Sequence, residues 1–269
     1  MFGRLPIGWL QLSHNKARLF AAVSGVAFAN LLVFMQLGIM GAMNASTSAP
    51  YAIVNTDIVL SSQEGNTLTD SEHIAQVRMF QALGVPGVAD VSPLYVGNLP
   101  FTLADGTSVS LLAFGMNTTQ PDFAAPSIAP LLGKLTLENT ALLDEGTRGL
   151  PGSIVDTLKA GETFAFEASG QTLTAIGVMD VGGGFLADGM LMMSDQTFLR
   201  FFPARSSAAP NHILVRVTDG VSAETVAARL SAALPANIVR VQTAQASEAA
   251  DQAFMSTERP TGIIFGFGV

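Results

Sequence analysis

Cysteine is absent from the 269 residues. That excludes disulfides, thiolate metal sites and cysteine nucleophiles. Histidine is scarce. His14, His73 and His212 show no metal-ligand spacing such as H-E-x-x-H, so each reads as a structural or solvent-facing side chain. Neither G-x-x-x-x-G-K-[ST] nor G-x-S-x-G occurs, and the Gly182–Gly184 run reads as a flexible turn. Asp144-Glu145 has no base or nucleophile beside it and reads as a solvated turn. Asp105-Gly106 and Asp188-Gly189 lack the alternating acidic ligands of a calcium loop. No catalytic site, metal or cofactor is expected.

Charge is thin as well, at 13% of residues where an average soluble chain has about 25%. It is also divided unevenly. Arg4, Lys16 and Arg18 are the only charges before residue 44, a net of +3. Beyond it, ten Lys/Arg face 21 Asp/Glu, a net of −11. An acidic region of this kind excludes a nucleic-acid surface and points to protein partners or a basic or neutral substrate.

One long apolar run stands out. Residues 19–43 contain no Asp, Glu, Lys, Arg, His or Pro. As a helix they are about 37 Å long, enough to cross a hydrocarbon core of about 30 Å with some tilt. The run exceeds the roughly 7–15 residues of a signal-peptide core, so an uncleaved anchor is the reading preferred to a cleaved signal. Basic residues flank it only on the N-terminal side, which places residues 1–18 in the cytoplasm and the rest outside. Leu5, Trp9, Leu12 and Leu19 share one face of an amphipathic helix over 1–18, with Trp9, Lys16 and Arg18 at the membrane interface. Gly25, Ala29 and Gly38 are candidates for close packing against another span.

Past the span, residues 44–56 read as a small-residue and polar connector. Strand 57–62 is followed by a helix that the capping box Thr69-x-x-Glu72 opens, with Ile74, Val77, Phe80 and Leu83 on one face. Hairpins are predicted around Asp105-Gly106 and Ser169-Gly170. Ser194 and Ser222 read as helix caps, with Val221 and Val226 placed for a hydrophobic staple. Strand–helix–strand units open and close the region. The expected fold is therefore α+β, with halves at 57–98 and 206–245, a β-rich insertion at 99–205, and a domain spanning 44–258. Residues 259–269 turn apolar again (GIIFGFGV) and read as the start of a second span. Core packing is the default reading of Phe185, Leu186 and Met192, and a partner or substrate surface is the alternative for which they are candidates.

Several stretches resemble a known family. They include G-W-L-Q-L (8–12), F-M-Q-L-G (34–38), Q-A-L-G-V-P-G-V (81–88), V-S-P-L-Y-V-G (91–97) and F-G-M-N (114–117). F-L-A-D-G (185–189), S-D-Q-T-F-L-R-F-F-P (194–203) and R-P-T-G-I-I-F-G-F-G-V (259–269) continue the series. The chain resembles the DevC-type permease subunits of ABC exporters, within the MacB/FtsX-like permease group. The resemblance implies a MacB-like periplasmic domain with a porter-like part and a β-rich insertion. It implies an inner-membrane protein that works as a homodimer with a separate ABC ATPase, a periplasmic membrane-fusion adaptor and an outer-membrane channel. Such systems export glycolipids and other amphiphiles, driven by transmitted motion of the periplasmic domain. A single-span anchored sensor or interaction domain is the alternative.

Overall fold

The structure is a computed structural model of the chain and describes residues 15–103, 106–182 and 187–257. Helix α1, Lys16–Ser48, has 33 residues and is about 50 Å long at 1.5 Å per residue. Asn15 caps it: its Oδ1 accepts from the Arg18 backbone N–H at 3.2 Å. Lys16 and Arg18 are therefore first-turn residues of the same helix that carries the apolar run, and the expected boundary between 18 and 19 is not a break. Residues 44–48, expected as connector, continue this helix. A 3₁₀ turn over Ala49–Ile53 follows, with Pro50 in its first turn. Small Ala, Ser and Thr side chains offer no helix stop, whereas Pro50 cannot continue the hydrogen-bond ladder. Polar Asn30 inside the apolar run donates from Nδ2 to the Val26 carbonyl at 3.0 Å. Among the described residues α1 is the one helix long and apolar enough to cross a membrane.

The rest is a mixed α+β domain. Its nine strands, among the described residues, are β1 (Ile58–Ser62), β2 (Val88–Thr102), β3 (Ser108–Met116), β4 (Thr140–Asp144), β5 (Phe164–Ala168), β6 (Gln171–Met179), β7 (Gly189–Ser194), β8 (His212–Val217) and β9 (Val239–Thr243). The helices after α1 are α2 (Val77–Leu83), α3 (Ala129–Leu132), α4 (Gly152–Lys159), α5 (Asp195–Phe201), α6 (Ala223–Ala233) and α7 (Ala244–Thr257). One sheet joins the strands in the order β3-β7-β4-β6-β5-β2-β8-β1-β9, and β2 also pairs with β3.

Two sub-structures share the 15-residue strand β2. Its first half, Val88–Leu94, pairs with β8. β8 and β9 flank β1 on its two sides, both antiparallel to it. The order β2-β8-β1-β9 with α2 and α6 as crossovers is that of a split β-α-β pair. Its second half, Leu94–Thr102, pairs with β3, and Phe101 reaches Ala168 of β5. Strands β2, β3, β7, β4, β6 and β5 thus form a closed ring, which contains parallel pairs β3–β7 and β4–β6 as well as hairpins. Closure removes exposed strand edges. Where β2 changes partner, Asn211 fills the gap: its Oδ1 accepts from the Val96 N–H at 2.8 Å and its backbone N–H donates to the Leu94 carbonyl at 3.0 Å.

Strands β2 and β3 pair out to Thr102 and Ser108, on either side of residues 104–105, which lie outside the described residues. In the second hairpin Ser169 (φ 50°) and Gly170 (φ 72°) occupy the left-handed region that a two-residue turn of this type requires. Ser194 and Ser222 cap α5 and α6 as expected, each accepting from the N–H three residues on. Four expectations differ. The helix expected from Thr69 begins only at Val77. Thr67 and Asp70 instead bond each other's backbone and close a local turn, and Ile74 lies outside the helix and is buried, its N–H donating to the Pro210 carbonyl at 2.8 Å. Val77, Phe80 and Leu83 consequently face outward. Asp144 is not a solvated turn: it is fully buried, and its Oδ1 accepts from the N–H groups of Gly146, Val181 and Gly182. Met192 is not a surface residue. β7 is paired on both sides, to β3 and β4, and every one of its side chains is buried. Such a strand is apolar on both faces, and its methionines fill the core between them.

Candidate functional site

The two ends of the domain meet at the base of α1. Helix α7 returns from β9 and packs along α1. Its residues Ser247, Asp251 and Met255 follow at intervals of four and are buried on one face. Tyr51, held by the 3₁₀ turn that ends α1, donates from Oη to Asp251 Oδ2 at 2.7 Å. Its Oη also lies 2.9 Å from Ser247 Oγ; with the phenol proton given to the carboxylate, Ser247 is the donor of this bond. Gln252 Nε2 donates to Ser48 Oγ at 2.8 Å, so the last residue of α1 is tied directly to α7.

Asp251 Oδ2 accepts a second bond, from the Leu68 N–H at 2.8 Å. Leu68 is held from its other side as well. His212 on β8 lies with Nε2 2.9 Å from the Leu68 carbonyl and Nδ1 2.9 Å from Ser61 Oγ on β1. A carbonyl only accepts, so Nε2 carries the proton and Nδ1 accepts from the Ser61 hydroxyl. One chain of hydrogen bonds therefore runs Tyr51–Asp251–Leu68–His212–Ser61, from the end of α1 across β8 to β1. Burial raises the Asp251 carboxyl above its ordinary range, opposed by the bonds from Leu68 and Tyr51. Burial also lowers His212 to about 4, and Arg240 adds to the lowering. The histidine is neutral under ordinary conditions, as its tautomer requires.

The Asp251 carboxylate is buried, its Oδ2 accepts from both Tyr51 and Leu68, and the Ser247 hydroxyl beside it is engaged with the Tyr51 phenol. No group of three His, Cys, Asp or Glu among the described residues is placed to hold a metal. The arrangement is mechanical: it fastens two helices to each other and to the sheet. Replacing Tyr51 by Phe is expected to cost about 1 kcal/mol, the net worth of one hydrogen bond to a charged partner less its exchange with Ser247. Urea unfolding of the full chain in detergent micelles, followed by circular dichroism, reads this as a lower midpoint at unchanged slope.

Of the residues singled out in the sequence, Lys16 and Arg18 are exposed in the first turn of α1. Gly25, Ala29 and Gly38 lie on its exposed surface, with nothing within 4 Å of a Cβ added at Gly25 or Gly38. Trp9, Phe185, Leu186 and the apolar 259–269 lie outside the described residues. Met192 belongs to the core. The residues that build the joint went unnoticed in the sequence. The spacing of Ser247, Asp251 and Met255 is a usable signal for a helix face, but nothing local connects it to Tyr51 about two hundred positions earlier.

Residues 19–233 match the MacB-like periplasmic core domain family. No curated protein matches. Among solved structures, the periplasmic region of MacB from Actinobacillus actinomycetemcomitans aligns with a TM-score of 0.49 at 13% identity, covering 78% of this chain and 97% of that one. The extracellular domain of the noncanonic ABC-type transporter YknZ from Gram-positive bacteria aligns at 0.46 and 14% identity, covering 70% and 100%. The chain belongs to the MacB-like periplasmic core domain family, carried behind an N-terminal apolar helix.

Proposed function

We propose that the chain is the membrane subunit of an ABC exporter of the DevC type, comprising its first span and periplasmic domain. In this reading α1 crosses the inner membrane with residues 1–18 in the cytoplasm, α7 leads into a second span at 259–269, and the ATPase is a separate subunit. ATP-driven movement of the spans is converted into movement of the domain, which presses an amphiphilic, lipid-like substrate through a periplasmic adaptor into an outer-membrane channel. Two copies act together, and Gly25, Ala29 and Gly38 give the room for a second span to approach α1. The family membership and the basic residues before the apolar helix support the membrane and periplasmic assignment. The observation that carries the motion is the joint. α1 and α7 grip both ends of one domain and are fastened to it by Tyr51, Asp251 and Gln252.

In the full-length permease with its ATPase, cutting the joint with Tyr51→Phe and Gln252→Ala removes the ties to Asp251 and Ser48. Substrate export is expected to fall several-fold at an unchanged rate of ATP hydrolysis, because spans that move without gripping the domain no longer drive it. Export that keeps its rate in the folded double variant rules out transmission through the joint.

A further inference from the structure

The outward-facing side of α2 borders a groove of about 520 Å³ between α2, β2, the 117–120 loop and α5. Met79 and Leu83 line the groove. At about 100° per residue Phe80 lies roughly 60° around the helix from Leu83, while Val77 and Arg78 fall on the far side. Phe80 is 65% exposed and Leu83 44%. Two large apolar side chains on neighbouring positions of a seven-residue helix face solvent beside the groove.

The opposite wall brings carboxylates. Asp90 and Asp195 line the groove, and no Lys, Arg or His does. Asp90 is held in place by Gln120, whose Nε2 donates to its Oδ2 at 3.0 Å, and by the Val91 N–H at 2.8 Å. Asp195 opens α5 and is half-buried, bonded by the Gln196 N–H. Neither carboxylate is in an ion pair with a described residue. Burial without a cation raises the Asp195 carboxyl. Across the groove, burial and then the Asp195 charge push the Tyr95 hydroxyl up to about 12.

Apolar side chains beside two carboxylates without an ion-pair partner among the described residues, half-buried Asp195 and exposed Asp90, have a defined complement. We infer that this groove is the docking site for a cationic amphipathic helix of a partner protein, its apolar face on Phe80 and Leu83 and a Lys or Arg reaching Asp195 and Asp90. A neutral apolar helix would leave Asp195 desolvated and unpaired, which is costly. A second copy of this chain offers its own acidic surface and few basic residues, so charge disfavours it. The inference concerns the outer face of the domain and stands whether or not α1 and α7 transmit motion.

The test uses the full chain in zwitterionic nanodiscs and a fluorescent 14-residue Leu/Lys helical peptide, with empty discs as blank and anisotropy as readout. The peptide is expected to bind. Phe80→Ser and Asp195→Asn are each expected to weaken it about tenfold, and Leu137→Ser, at an exposed leucine elsewhere, not at all. Circular dichroism melting controls for folding, and the peptide with Glu at every Lys position should not bind. Binding that both variants leave unchanged, or equal binding of the Leu/Glu peptide, overturns the inference. So does absence of binding, or a dimer in sedimentation that Phe80→Ser dissociates, which would make the occupant a second copy.

Discussion

Phe198→Ala is expected to cost the domain about 4 kcal/mol, within the range measured for removing a buried aromatic ring. Phe198 sits on α5 and is fully buried. Its ring lies 4.2 Å from Phe202 and 5.7 Å from Tyr95, centroid to centroid. It is also the contact by which α5 lies flat on the β2–β3 pair. A Cβ placed on Gly115 of β3 would fall 2.6 Å from Phe198 Cβ, and one on Gly97 of β2 would fall 2.7 Å from Phe202 Cε1. The two glycines are there because no side chain fits between strand and helix. Truncation leaves a cavity that this flat contact cannot close by sliding. The expected result in urea unfolding is a midpoint lowered by the full amount, without a new transition. A second expectation sharpens it. Gly115→Ala destabilises too, and Phe198→Ala does not rescue it, because the clash is with Cβ, which alanine keeps.

Acidification is expected to remove about 3 kcal/mol of stability through His212 alone. Burial lowers its folded-state pKa to about 4, against 6.5 in the unfolded chain. Between these values the unfolded chain binds a proton that the folded one refuses. The contribution is complete above about pH 6.5, declines as pH falls, and is gone near pH 4. At its steepest the slope is about 1.4 kcal/mol per pH unit. Asp251 acts in the opposite sense. Its carboxyl is raised by burial, so its contribution is present at low pH and lost as pH rises through the folded pKa. The wild-type curve contains both, and also the lowered His73. The His212→Gln variant isolates the first, since glutamine still donates to the Leu68 carbonyl but does not titrate. The difference between wild type and variant should shrink toward low pH across the window from 6.5 to 4. A constant difference would mean that His212 does not carry this proton.

Much of the local structure was legible in the sequence because its causes are local. The apolar run at 19–43 has to be a long helix. Ser194 and Ser222 cap the helices they precede, and Ser169-Gly170 turns a hairpin. The α+β class followed from the alternation of such signals. Misreadings came where a local signal met a competing partner. Thr69-x-x-Glu72 has the form of a capping box, yet Thr67 and Asp70 closed a turn, and Ile74 was drawn into the sheet core by the Pro210 carbonyl. The Met190–Met193 run could be surface or centre. Pairing on both edges of β7 made it centre.

The sequence by itself determined that one part of this protein is a basic-flanked apolar helix and the other an acidic α+β domain. Hydropathy and charge are properties of composition and need no partner to be read. Only the tertiary structure decided that β2 serves two sub-structures, that Phe80 faces out, and that Tyr51, Leu68, His212 and Asp251 form one joint. Those facts depend on contacts between residues far apart in the chain. Burial and hydrogen bonding, which give a buried carboxylate or histidine its role, exist only once the chain has closed on itself.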